Sequence, residues 1–181
     1  MIKRRACDIM YRSILCRKAK EGAIPPVKIA VFSDSHGDTA NMCRAIEAYR
    51  PDHILHLGDG VRDAANLAAR YPDIPLQNVA GNCDWMPAGV PDSLLIELGG
   101  VRIFAAHGHR HGVKMGLDSF LNSVHCSGAK LGLFGHTHEA LRRDFGSIQL
   151  FNPGSCGHGV RPTYGQLLIE NGEVFCKIVQ I

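Results

Sequence analysis

Two pairs of residues two positions apart, Asp34 with His36 and His136 with His138, offer carboxylate and imidazole ligands at separate places in the chain. Between them stand a carboxylate in Gly58-Asp59-Gly60, an amide in Gly81-Asn82-Cys83-Asp84 and an imidazole in His107-Gly108-His109. On extended chain, a spacing of two points both side chains of a pair to the same side. Two such pairs, with Asp59, Asn82 and His107, can surround two divalent cations, and each cation reaches four protein ligands if Asp59 bridges them. Paired cations about 3.5–4 Å apart activate a bound water as hydroxide for attack on an electrophile. Two dications carry more charge than the two aspartates cancel, so such a site favours an anionic substrate, a phosphate ester being the natural example.

These residues must be brought together by the elements that precede them. Each follows a short apolar, β-branched-rich run: 27–33 before Asp34, 53–57 before Asp59, 77–80 before Asn82, 101–106 before His107 and 131–134 before His136. A sixth run, 148–151, leads into Asn152-Pro153-Gly154-Ser155. Short apolar runs bounded by turn residues are the signature of buried strands. The stretches 39–49, 61–70 and 114–125 carry apolar residues at helical spacing. Strand and helix alternate first, which predicts a parallel βαβ layer. The tail reads as strands over 139–144, 148–151, 164–170 and 174–181, with Asn171-Gly172 as a hairpin turn. The expectation is two packed sheets with helices on their outer faces, and a crevice at the carboxyl ends of the strands, where α/β sheets bind ligands.

Composition narrows the function. The 181 residues suit one domain, and with 45% hydrophobic and 20% charged residues the chain can bury a core. Seven cysteines, odd in number and without a Cys-x-x-Cys pair, fit reduced thiols in a cytoplasmic protein better than a disulfide framework. No apolar stretch approaches the roughly 18 residues of a membrane span, and the basic N-terminus lacks the apolar core of a secretory signal. Residues 1–25 hold seven of the 20 Lys/Arg and two of the 17 Asp/Glu, so the net positive charge belongs to this leader and the remainder is slightly acidic. A nucleic-acid partner is therefore not expected, since phosphate binding needs a basic body. Apolar residues at helical spacing (Ile2, Ala6, Ile9, Met10, Ile14) allow a short amphipathic helix there. Pro25-Pro26 end any such helix. The domain organisation expected is a basic extension over 1–26 and a catalytic domain over 27–181.

The ordered motifs Asp34-Ser35-His36, Gly58-Asp59, Gly81-Asn82, His107-Gly108-His109 and Gly135-His136-Thr137-His138 resemble those of the calcineurin-like metallophosphoesterases. Gly81-Asn82-Cys83-Asp84 and Asn152-Pro153-Gly154-Ser155 resemble the small bacterial and archaeal phosphodiesterase subfamily, which is related to the retromer scaffold subunit. The resemblance covers residues 27–181. Residues 1–25 lie outside it, as an extension or a stretch upstream of the true start. It implies a four-layer α/β/β/α sandwich of two mixed sheets flanked by helices. It assigns Asp34, His36, Asp59 and His138 to one metal, and Asp59, Asn82, His107 and His136 to the other, with Asn82 also holding the substrate phosphate. The imidazole, carboxylate and amide ligands suit manganese, nickel, zinc, iron or cobalt better than calcium, and manganese is the metal expected.

Many larger members of the family that the motifs resemble have a histidine at the position of Cys83, where it can protonate the leaving group. A thiol is a weaker donor, so phosphodiesters with good leaving groups are the expected substrates. A metal-ligand or redox role is the alternative for Cys83. His109, two residues beyond His107, is a further catalytic candidate, either touching the substrate or holding the turn. His53 and His56 read as structural, and Arg161 is a candidate phosphate contact. The function expected is a dinuclear metal-dependent phosphodiesterase acting through a metal-bridging hydroxide on a small-molecule phosphate ester. The alternative is a non-catalytic scaffold on the same fold. Cyclic nucleotides, nucleic-acid ends, lipid-derived diesters and dinucleotides all remain open as substrates, and a leftover exposed strand or helix is the place for a homodimer contact.

Overall fold

The computed structural model describes residues 25–85, 89–157, 159 and 161–181. The expectations for residues 1–24 lie outside the described residues. The strands are β1 (Val27–Phe32), β2 (His53–His56), β3 (Leu76–Asn78), β4 (Ser93–Leu98), β5 (Val101–Ala106), β6 (Leu131–Leu133), β7 (Leu141–Phe145), β8 (Ile148–Asn152), β9 (Thr163–Glu170) and β10 (Glu173–Gln180). The helices are α1 (Ala40–Tyr49), α2 (Val61–Arg70) and α3 (Asp118–Cys126). One sheet has the order β10-β9-β1-β2-β3 and the other β4-β5-β6-β8-β7. Both are mixed: β1, β2 and β3 run parallel, as do β5, β6 and β8, while β9, β10, β4 and β7 pair antiparallel.

Strand alternation sorts the core into three layers. Ile29, Val31, Leu55 and Leu57 of the first sheet meet Val101, Ile103, Leu131, Leu133 and Phe151 of the second. The alternate residues Ala30, Phe32 and Ile54 turn outward to Met42, Ile46 and Leu67 of α1 and α2. On the far side, Ala106 and Leu150 pack on Phe120 and Val124 of α3. A Cβ on Gly132 would come within 2.6 Å of both Leu150 and Val124, so glycine sets how closely α3 approaches the sheet. Phe32, Phe120, Phe134 and Phe151 are fully buried, each contributing roughly 1.5–3 kcal/mol. The layers are helix, sheet, sheet, helix, as expected.

Three local readings are corrected. Strand β4 was not expected, although Leu94, Ile96 and Leu98 alternate with more exposed neighbours and Gly99-Gly100, both at positive φ, turn the chain back into β5. Its intermediate burial at a sheet edge weakens the apolar signal. Helix α3 starts at Asp118 rather than 114, because Gly112 takes a left-handed conformation and Gly116 sits in the following turn. The third correction concerns the paired ligands. Asp34, His36, His136 and His138 have φ of 55°, 45°, 65° and 60°, so they lie in left-handed turns beyond the strands and not on extended chain. The Asn171-Gly172 turn is as expected, with φ of 52° and 76° joining β9 to β10.

Candidate metal centre

Seven non-glycine residues among those described have positive φ, and five of them are Asp34, His36, Asp59, His136 and His138. The left-handed region costs an L-residue about 1–2 kcal/mol, less for the short polar side chains that tolerate it best. Such strain concentrates at functional sites, where the surrounding structure enforces it. Here the enforcement is visible. Asp34 N–H donates to Gly58 O at 3.0 Å and His36 N–H to Asp59 O at 3.1 Å, tying the β1 and β2 turns together. Gly135 N–H donates to His107 O at 3.0 Å, joining the β6 and β5 turns. A side chain on Gly135 would meet Asp34 Oδ2 at 2.9 Å, so the two sheets meet here at a distance only glycine permits.

Each aspartate uses one oxygen to hold the fold and presents the other. Asp34 Oδ2 accepts Ser33 Oγ–H at 2.6 Å and His136 N–H at 3.1 Å. Asp34 Oδ1 is buried without a hydrogen-bond partner, 3.2 Å from His138 Nε2 and 4.0 Å from His107 Nε2. Asp59 Oδ1 accepts Cys83 N–H at 2.8 Å, while Oδ2 lies 3.4 Å from His107 Nε2 and 4.0 Å from His36 Nε2. His36 Nε2 faces His138 Nε2 at 3.4 Å, and Asn82 Oδ1 lies 3.1 Å from His107 Nε2. Potential ligand atoms fall into three overlapping groups, Asp34-His36-His138, Asp59-His107-His136 and His36-Asp59-Cys83, each within 4.8 Å. Asp59 belongs to the last two and so lies between the others. Opposed imidazole nitrogens and an unpartnered buried carboxylate oxygen are the donor set that cations satisfy. The residues fit the divalent metals that the motifs imply.

Burial grades across the cluster. Asp34 and His107 are fully buried and Asp59 nearly so, while the His36 and His138 side chains remain 39% and 49% exposed at the rim. His107 Nδ1 sits 2.8 Å from Leu57 O; as a donor there it leaves Nε2 facing the cluster. Burial opposes charge on Asp59, but hydrogen bonds from His107 and Cys83 N–H prevail and hold its carboxyl well below the usual range. Burial likewise opposes charge on His107, but the bond to Asp59 and the charges of Asp34 and Asp59 raise its imidazole. His136 is lowered by burial, His107 and Lys114, and His109 by burial, His107 and Arg110. Burial and Asp59 push the Cys83 thiol up.

The structure brings Asp34, His36, Asp59, Asn82, His107, His136 and His138 into one crevice. His109 joins its edge, with ring centroids 5.4 Å from His107 and 6.1 Å from His136. Arg161 is exposed. His56 is buried in a hydrogen-bonded cluster with Ser35 and Asp63 beneath the site. Sequence reasoning gave no role to Asp84, whose carboxylate accepts four backbone N–H groups, from Asp59, Gly60, Val61 and Gly81, at 2.8–3.0 Å. Asn152 is similar: its amide donates to Gly135 O and Thr137 Oγ1 and accepts Gly154 N–H, bracing the His136–His138 turn. An acidic residue next to a glycine-rich turn was the available signal for Asp84.

A profile of the calcineurin-like phosphoesterase superfamily domain matches residues 27–172. Over 152 residues the chain is 33% identical to the probable metallophosphoesterase YsnB of Bacillus subtilis, covering 80% of this chain and 86% of that protein. Over 167 residues it is 28% identical to a phosphodiesterase of Methanocaldococcus jannaschii, covering 81% of this chain and 96% of that one. A solved structure from Streptococcus pneumoniae TIGR4, of a conserved protein described as a predicted phosphoesterase, superposes with a TM-score of 0.74 at 27% identity, over 87% of this chain and 91% of that one. The chain belongs to the calcineurin-like phosphoesterase superfamily, and its aspartate and histidine groups fit metal-dependent hydrolysis of phosphoesters.

Proposed function

We propose that the protein is a dinuclear metal-dependent phosphodiesterase. The observation that carries this reading is Asp34 Oδ1, a buried carboxylate oxygen with no hydrogen-bond partner, set among the Nε2 atoms of His107 and His138. Asp34, His36, Asp59 and His138 would hold one cation, and Asp59, Asn82, His107 and His136 the other, with Asp59 shared. Manganese is the metal proposed, and nickel, zinc, iron and cobalt suit the same ligands. Bound there, the cations supply Lewis acidity and a water activated at neutral pH.

The protein's own contribution is to fix charge and donors in place. The Asp59 carboxylate stays ionised because the Cys83 N–H and His107 stabilise its charge. Asn82, exposed beside His107, offers its amide N–H to a phosphoryl oxygen as charge develops there. His109 holds a second phosphoryl oxygen from the edge formed by His107 and His136. Cys83 stands where a strong proton donor would serve a poor leaving group, which favours diesters of acidic alcohols.

The test is hydrolysis of bis-p-nitrophenyl phosphate by metal-stripped protein with manganese, nickel, zinc or magnesium restored, beside p-nitrophenyl phosphate. Diester cleavage that needs metal and disappears in Asp59→Asn and His107→Ala is the expected result. Binding of two metal equivalents without turnover of either ester would overturn the proposal in favour of a metal-binding scaffold.

A further inference from the structure

The only tryptophan in the chain, Trp85, leaves 93% of its surface in solvent. It lines a cavity of about 560 Å³ together with His36, Asp59, Val61, Arg62 and Cys83, a size in the usual range of small-molecule sites. The cavity thus opens directly from the cluster assigned above to the cations. Trp85 follows Asp84, whose carboxylate is fixed by four backbone N–H groups from the β2 and β3 turns, so the tryptophan backbone is anchored to the same turns as the candidate ligands. Arg62 is exposed on the same cavity and makes none of the ion pairs found among the described residues.

Resting on the phosphodiesterase reading, we infer that this cavity binds the ester group that stays on phosphorus while the acidic alcohol leaves, and that this retained group is a nucleoside, its base stacked on Trp85. A phosphate bound through the cations that Asp59 and His36 would hold leaves its ester substituent in the cavity that these residues share with Trp85. The walls combine one exposed aromatic face and the Val61 side chain with a guanidinium and carboxylates. That mixture suits a flat group with a polar edge and does not suit an acyl chain. Base–aromatic stacking tolerates any base, so the inference concerns nucleotides as a class.

Trp85, as the sole tryptophan, reports its own occupancy through fluorescence. Manganese-loaded protein would be titrated with adenosine 5′-monophosphate and with ribose 5-phosphate, which carry the same phosphate and differ in the base. The expected result is quenching by the nucleotide at concentrations where the sugar phosphate has little effect. Trp85→Ala should weaken nucleotide binding, measured calorimetrically, by roughly 5- to 150-fold, and Trp85→Phe should restore most of it. Equal responses to the two ligands, or unchanged nucleotide affinity in Trp85→Ala, would overturn the inference. Quenching without any diester hydrolysis would leave the nucleoside subsite standing and remove the catalytic reading. Metal-dependent hydrolysis with an indifferent Trp85 would do the reverse.

Discussion

The Asp84 carboxylate accepts the backbone N–H of Asp59 at 2.8 Å, so the carboxylate between the two ligand groups is positioned by another carboxylate 25 residues later. The same side chain holds Gly60, Val61 and Gly81. One anion accepting four N–H groups also caps α2 at its first turn, where negative charge opposes the helix dipole favourably. Asp84→Asn keeps the shape and removes the charge and part of the acceptor capacity. It should lower metal affinity roughly 10- to 100-fold, the usual scale for residues that orient ligands, and lower the thermal midpoint as well. Isothermal titration with manganese measures the first effect; unchanged affinity would deny Asp84 its positioning role.

Asp34→Asn should separate stability from metal binding. Asp34 Oδ1 has no hydrogen-bond partner, and an amide placed there could donate to His138 or His107. At pH 8 the metal-free variant is expected to melt no lower than the metal-free wild type. Ligand at 100 times its dissociation constant stabilises by about 2.7 kcal/mol. For a domain of this size the cation held by Asp34 should therefore add roughly 5–10 °C to the wild-type midpoint that the variant, with only its second site intact, does not gain. Calorimetric scans with chelator and with manganese check both halves, and an Asp34→Asn variant stabilised by manganese as much as the wild type would exclude Asp34 as a ligand.

The fold and the site were legible in the sequence to different depths. The buried strands announced themselves because β1, β2, β5 and β6 are largely apolar and each leads to a polar residue in a glycine-containing turn. Strand β4, at a sheet edge with Leu95 exposed, lacked that continuity. Ligand types could be read because aspartate and histidine at strand ends are chemically conspicuous. Their turn geometry could not, since positive φ at Asp34 or His138 depends on contacts with chain a hundred residues away, such as Asp34 with His136. Asp84 escaped for a different reason: its place beside a glycine-rich turn was a signal, but its partners are four backbone groups whose convergence only the fold brings about.

His56 should make stability depend on pH. Its Nε2 lies 3.1 Å from Ser35 Oγ, whose hydroxyl donates to Asp63, and its Nδ1 accepts Gly58 N–H at 3.3 Å. The neutral imidazole with its proton on Nε2 satisfies every contact, whereas protonation would break the Gly58 bond and bury a charge. Burial outweighs the nearby carboxylates and lowers its pKa from 6.5 to about 4. Between these values the unfolded chain binds the proton and the folded chain does not, so stability falls as pH falls from 6.5 towards 4. His56→Gln removes this titration. Between pH 7.5 and 5 the wild type should lose about 2 kcal/mol relative to the variant, measured by urea unfolding in chelator. A pH-independent difference would show that His56 takes up its proton in the fold as readily as in the unfolded chain.

Cys83 bears on which esters the enzyme cleaves. Its backbone N–H holds Asp59, and its Sγ lies 3.3 Å from Asn82 Nδ2, beside the atom proposed to meet the phosphoryl group. A thiol in that position donates a weak hydrogen bond and gives little help to an alkoxide departing from phosphorus. An imidazole there would act as a general acid, a contribution typically of 10²- to 10⁴-fold when well placed. Cys83→His should therefore raise kcat/KM for glycerol 2-phosphate, whose leaving group is poor, by about tenfold or more. Its rate with bis-p-nitrophenyl phosphate, whose leaving group needs no proton, should change little. The ratio of the two specificity constants in variant and wild type is the measurement. A ratio unmoved by the substitution would mean that leaving-group protonation comes from elsewhere in the crevice, with His109 the next residue to replace.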